Sequence, residues 1–245
     1  MKSAPAFQIL NEVDSTNNYA MASIHAGLAT HGMAWFALDQ FAGKGQRGKS
    51  WQSTPGANII LSIAFRPPAQ FWPFPFLFNA LISNACHQFL EKILPGEVRI
   101  KWPNDLFIRD RKAGGILIEN KLMGNNWNWS VVGIGLNINQ GSFSKKLVNP
   151  VSLSQICGRK FDPIALAKEL HRSVCLAIDT THAKDFKSIL HRYNEHLYLR
   201  GKTARLRKGN ITFETTIIRV NEFGQLITQD AVERVFNFGE VELLV

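Results

Sequence analysis

GKGQRGKSW, residues 43–51, places three glycines, three cations and an indole in nine positions. Glycines let a backbone bend and approach a ligand closely. Lys44, Arg47 and Lys49 supply positive charge that an anion can use. Gly43, Gly45 and Gly48 also match the spacing of a dinucleotide-binding fingerprint, which requires a strand before it and a helix opening on its last glycine. Residues 33–38 serve as the strand, but KSWQSTPGAN after Arg47-Gly48 has no helical period and ends in a Pro-Gly turn. The fingerprint fails on context. The segment reads instead as an anion-cradling loop between two β-prone runs, 33–38 and 58–65, with its charge on side chains rather than on a helix dipole.

Outward from the loop, residues 7–13 read as a first strand. Asp14, Ser15, Thr16 and Asn17 then supply capping residues for a helix running to about Ala29. Residues 76–93 carry Phe78, Leu81, Ile82, Ala85, Phe89 and Ile93 at helical spacing, a buried helix. Four strand-like runs follow, at 98–102, 106–108, 115–119 and 127–137. A helical region spans about 163–197, with Pro163 in its first turn. From Gly201 the runs shorten (202–206, 211–220, 225–228, 232–238) and suit a small antiparallel barrel that needs support from the main body. Strands and helices do not alternate as βαβ units, so the main body is α+β with a mixed or largely antiparallel sheet and flanking helices. We expect residues 1–199 to form the catalytic domain and 200–245 the barrel.

The 245 residues are 45% apolar and 19% charged, ordinary for a globular protein, with no apolar run long enough to span a bilayer. The start, MKSAPAFQIL, lacks the layout of a signal peptide. Cys86, Cys157 and Cys175 are odd in number and unpaired in spacing, as in a cytoplasmic protein with reduced thiols. The histidines show no metal-ligand spacing. A net charge of +9 raises nucleic acid as a partner, but the cations are spread along the chain, at Lys145-Lys146, Arg159-Lys160, Lys202 and 205–208. No reading helix, zinc finger or RNA-recognition signature accompanies them. We expect neither DNA nor a membrane as partner.

Three further clusters carry potential chemistry. In KWPND, residues 101–105, Pro103 ends a strand and starts a turn, leaving Asn104 and Asp105 at a strand end; they either meet a ligand or form an Asx-type turn. In KAGGILIE, residues 112–119, Lys112 leads into two glycines and an apolar strand: a cation at the mouth of a site with room against the sheet, or a solvated lysine beside a hairpin. In VGIGLNIN, residues 132–139, Asn137 interrupts an apolar run and needs a partner if buried.

Taken with DSTN at 14–17 and QFAGKGQRGKSW at 40–51, these motifs resemble, in order and spacing, the bacterial biotin protein ligases. The resemblance runs from about Phe7 to the end and implies a fold like that of class II aminoacyl-tRNA synthetases and biotin ligases, with a small SH3-like C-terminal barrel. It implies the ligase-only type, without the N-terminal DNA-binding domain of the repressor members. The implied chemistry joins biotin to ATP as biotinyl-5′-AMP, with Mg²⁺ on the phosphates, then passes biotin to one lysine of a biotin carboxyl carrier protein. By this resemblance Lys44 and Lys112 are catalytic, neutralising the two anions that must meet. Ser15, Thr16, Asn17, Gln40, Gly43, Lys44, Gly45, Gln46, Lys112 and Gly115 would bind biotin. Lys44, Gln46, Arg47, Trp51, Asn104, Lys112 and Asn137 would bind ATP, with Trp51 covering adenine or packing beneath the loop. Asp105 would help hold the metal. Lipoate ligases share the chemistry, but the polar set at Ser15, Thr16, Asn17 and Gln40 suits a ureido ring. One departure stands out: the family commonly reads GRGRxGRxW, whereas this chain has Lys44 and Gln46 at the first two arginines. Arg47 is the residue placed to compensate.

Overall fold

The computed structural model describes residues 6–244 apart from Asn125 and Lys146. Lys146 of the basic pair, and residues 1–5 of the start, therefore lie outside the described residues.

A seven-stranded sheet forms the centre, in the order β1-β2-β3-β7-β6-β5-β4. The strands are β1 (Phe7–Val13), β2 (Ala34–Gln40), β3 (Ile59–Phe65), β4 (Val98–Lys101), β5 (Asp105–Ile108), β6 (Arg111–Met123) and β7 (Asn126–Leu136). β1 and β2 run parallel, joined through α1 (Thr16–His25), and every other pair is antiparallel. The sheet is thus mixed, as the absence of repeated βαβ units implies. All seven residues of β3 are buried, the mark of a strand covered on both faces.

One face is covered by α2 (Pro75–Glu91), α4 (Pro163–Thr180) and α5 (Phe186–Glu195), which share a continuous core with Ile59, Leu61, Ile63, Val132, Ile134 and Leu136. The helical region read as one span is two helices, separated by a single 3₁₀ turn at Ala183–Asp185. A short α3 (Leu153–Cys157), closed by a capping box between Ser152 and Gln155, precedes them. The other face is covered in part by α1, through Ala20 and Ile24 against Trp35, Ala64, Trp129 and Val131. α1 stops at His25 rather than Ala29, because Gly27, at φ 72°, turns the chain out of the helix.

β6 and β7 extend well past β5, which pairs with β6 only as far as Gly115. Among the described residues, no strand lies beside the outer edge of β6 beyond that point.

The C-terminal strands β8 (Thr203–Lys208), β9 (Ile211–Val220), β10 (Leu226–Gln229), β11 (Glu233–Phe236) and β12 (Glu242–Leu243) form a five-stranded antiparallel sheet. Leu206, Ile217, Val220, Leu226 and Phe236 join the main core. Trp102 Nε1 donates to the Gly224 carbonyl at 2.9 Å, and Asn194 both donates to and accepts from the Val220 backbone, at 2.9 and 2.7 Å. This small unit is therefore braced by the larger one, as its size requires. No helix among the described residues is long and apolar enough to cross a membrane.

Candidate active site

Where α1 ceases to cover the sheet, the floor is made of glycine. Gly115 of β6 lies opposite Gly135 of β7, and Leu117 opposite Gly133. A Cβ at Gly133 would collide with the Asn17 side chain, and one at Gly135 would come within 2.5 Å of the Trp51 indole. At Gly115 it would sit 3.3 Å from Asp105 Oδ1 and 3.7 Å from Lys112 Nζ. Three bare positions thus let side chains from three distant segments lie flat on one patch. Gly114 plays a different part: its missing Cβ makes room for Leu136 on the opposite face.

The first turn of α1 forms one end of this trough. Ser15, Thr16, Asn17 and Gln40 are all buried. Ser15 stands at the cap position, but its side chain makes no capping bond. Gln40 does that work from β2, its Oε1 accepting from the Thr16 N–H at 2.8 Å and lying 3.3 Å from the Thr16 hydroxyl. The N–H at the helix start is therefore already engaged. Ser62 of β3 completes the group, with Oγ 2.8 Å from Thr16 Oγ1 and 2.6 Å from Asn17 Oδ1. Its single proton goes to the Asn17 oxygen, which cannot itself donate.

The other end carries the charge. Lys112 Nζ and Asp105 Oδ1 form an ion pair at 2.6 Å, partly open to solvent. Asn104 fixes this corner, its Nδ2 donating to the Ile116 carbonyl while its own carbonyl accepts from Ile116 N at 3.1 Å. Lys101, across from Asp105 in the β4–β5 pair, packs over the Phe107 ring at 5.3 Å. Burial pulls its pKa down, and the Asp105 carboxylate opposes that. Asn137 finds its required partners in the backbone, donating to the Val151 carbonyl at 3.1 Å. It holds the β7 end against the following segment.

The glycine loop folds into a small hairpin over the trough. Trp51 N donates to the Gly43 carbonyl at 2.8 Å, Gly45 N donates to the Lys49 carbonyl at 2.6 Å, and Lys44 bridges Ser50. Gly43 has no space for a Cβ, which would strike the Gln40 side chain and the Trp51 carbonyl. Trp51 lies on Gly135, its Nε1 buried with no hydrogen-bond partner among the described residues. The loop's polar side chains diverge. Lys44 Nζ reaches Glu119 Oε1 at 3.4 Å, while Gln46 lines a separate cleft with Pro103, Ile118 and Phe238. Arg47, at φ 55°, donates from Nη1 to the Gly239 carbonyl at 3.2 Å. The structure thus brings Thr16, Asn17, Gln40, Lys44, Trp51, Lys112 and Gly115 to the trough, and directs Gln46 and Arg47 toward the C-terminal sheet.

Sequence reasoning missed two members of the site. Ser62 is the one polar residue in the apolar run of β3, a signal that was available. Glu119 ends the apolar half of β6; its Oε2 accepts from Asn17 Nδ2 at 2.7 Å.

The biotin/lipoate A/B protein ligase family model matches residues 10–137. The chain belongs to that family. Among curated relatives it is 29% identical over 241 residues to the bifunctional ligase/repressor BirA of Escherichia coli, covering 96% of this chain and 73% of that protein. It is 32% identical over 168 residues to a biotin–[acetyl-CoA-carboxylase] ligase of Paracoccus denitrificans, covering 63% of this chain and 65% of the relative. Among solved structures, the Aquifex aeolicus biotin protein ligase in complex with biotin and ATP superposes with a TM-score of 0.82 over 98% of both chains, at 22% identity. That likeness extends to the family's mixed sheet and flanking helices, with the C-terminal antiparallel sheet in the same chain.

Proposed function

We propose that this family member is a biotin protein ligase. One observation carries the reading: a glycine-lined floor with a donor–acceptor cluster and the Lys44–Glu119 pair at one end and the Lys112–Asp105 pair at the other. The cluster of Thr16, Asn17, Ser62 and Gln40 offers both hydrogen-bond characters that a ureido ring needs, which an apolar acid such as lipoate would leave unpaired. Lys112 stands at the end where a carboxylate and a triphosphate would meet, and Lys44 joins it when the loop carries it away from Glu119. In the first step a biotin carboxylate oxygen bonds to the α-phosphorus and the bond to the bridging oxygen of the β-phosphate breaks, releasing pyrophosphate. The two lysines offset the charge that accumulates there. In the second step an amine of the carrier attacks the biotinyl carbonyl, AMP departs, and the amine loses a proton, for which Asp105 is the carboxylate at hand.

Mg²⁺ belongs with the triphosphate in this scheme, since it favours phosphate oxygens with one or two carboxylates. Asp105 is the carboxylate beside Gly115, with Oδ1 engaged by Lys112. The acceptor is a biotin carboxyl carrier protein and the setting is the cytoplasm. Residues 1–199 form the catalytic unit and 200–245 the appended β unit. Arg47 compensates for Gln46 by swinging from Gly239 to the phosphates when the loop closes.

The test is incubation with a biotin carrier domain, Mg-ATP and either biotin or lipoate, followed by intact mass measurement. A single biotin adduct is expected. No adduct, on a carrier that another ligase modifies, would sink the proposal.

A further inference from the structure

Glu119 joins the start of α1 to the glycine loop. Its two carboxylate oxygens hold different segments: Oε2 accepts from Asn17 Nδ2 at 2.7 Å, and Oε1 lies 3.4 Å from Lys44 Nζ. We propose that Glu119 is a positioning residue, which sets the orientation of Asn17 and holds Lys44 off the anion subsite while the site is empty. This deepens the ligase reading and rests on it for the identity of the substrates.

The Asn17 contact has a directional consequence. A carboxylate only accepts, so the amide nitrogen must face Glu119 and the amide oxygen must face Ser62 and the space above Gly133. The reverse orientation would set two acceptors against each other. Glu119, with the Leu117 carbonyl 3.5 Å from the same amide nitrogen, therefore decides which hydrogen-bond character Asn17 presents to a ligand.

The Lys44 contact has an electrostatic one. At 3.4 Å, with side chains 42% and 33% exposed, the pair is long and solvated, and so weak enough to exchange. An ammonium neutralised by Glu119 is unavailable to a phosphate. An incoming anion must draw Lys44 away, and the hairpin of the loop moves with it, because Lys44 is bridged to Ser50 and Gly43 is bonded to Trp51. A lysine suits this exchange, as a point charge without the bidentate fork of arginine.

The experiment uses the full chain and begins without ligand. Trypsin can cut the loop at Arg47 and Lys49, and cleavage there is compared for the wild type, Glu119→Gln and Lys44→Gln. Both variants should be cut faster by about two- to fivefold, the range for loss of an exposed ion pair. Kinetics then separate the two roles. Glu119→Gln keeps an acceptor for Asn17, so KM for biotin should stay within about twofold of wild type while KM for ATP falls by about two- to fivefold. Glu119→Ala removes both contacts and should raise KM for biotin about tenfold. Equal cleavage of all three proteins would overturn the proposal, as would a Glu119→Gln variant whose two KM values change by one common factor. An inactive wild type would defeat the ligase reading alone, since the ligand-free cleavage comparison judges Glu119 independently.

Discussion

Lys112 has its own carboxylate at 2.6 Å, beside a glycine floor with space above it. An ammonium so held is pre-aimed and needs little reorganisation when charge builds on a transferring phosphoryl group. Lys112→Ala should lower the rate of adenylate formation by about 10²–10³. Pyrophosphate release in the absence of carrier measures this step separately from transfer. Gly133 gives a second test at the same scale. Its alanine variant would push a methyl into Asn17, an overpacking that costs about 1–3 kcal/mol. Isothermal titration should show biotin affinity reduced by about tenfold or more.

At the scale of elements, the start of α1 depends on a different strand. Ser15 occupies the cap position without capping, and the Thr16 N–H is satisfied by Gln40, whose neighbour in space is also the loop glycine Gly43. Helix, strand end and loop root are therefore one joint. Gln40→Ala should destabilise the fold by about 1 kcal/mol, measured by urea denaturation, and should also weaken biotin binding. The loop itself is fastened at Gly239 through Arg47. Arg47→Ala should speed dissociation of a preformed biotinyl adenylate in stopped-flow measurements; unchanged adenylate formation and dissociation together would refute a compensating role for this residue.

For the molecule as a whole, acid stability turns on a pair of histidines, one buried and one half-buried, remote from the loop. His87 of α2 and His196, just past α5, stack with ring centroids 3.8 Å apart. Burial pushes the His87 pKa down to about 4, and repulsion from His196 adds to it, while the Val98 carbonyl, 3.2 Å from Nε2, and Glu91 act in the opposite sense. Burial lowers His196 too, against the pull of Glu195 and Glu91, with Arg99 and Arg192 repelling it. A folded-state pKa below the unfolded value of about 6.5 means the unfolded chain binds more protons as pH falls through that window. Stability is then complete above about pH 6.5 and declines toward pH 4, by up to about 3 kcal/mol. Thermal melts across this range check the sign. His87→Phe should flatten the profile.

Most of the architecture was legible because apolar period and turn chemistry both fix local structure: the β-prone run of β3 with its one serine, the 3.6-residue spacing of α2 and the Pro-Gly end of the loop each pointed one way. The mixed pairing of the sheet followed from the absence of βαβ repeats. Thr16, Asn17, Gln40, Lys112 and Gly115, drawn from separate motifs, lie along one trough. What escaped was contact between segments far apart in the chain. Glu119 and Ser62 gain meaning only from strand register, and the outward aim of Gln46 and Arg47 depends on a C-terminal sheet that begins about 155 residues later. No local pattern encodes that distance.

The Trp51 indole rests on Gly135 with its N–H buried and unpartnered among the described residues. It lies in the path of any ligand that enters the trough, so occupancy must change either its position or the polarity around its ring. The site thus contains its own optical reporter. Emission from Trp51, taken as the difference between the wild type and Trp51→Phe on titration because five other tryptophans also emit, reads the filling of the slot without any attached dye.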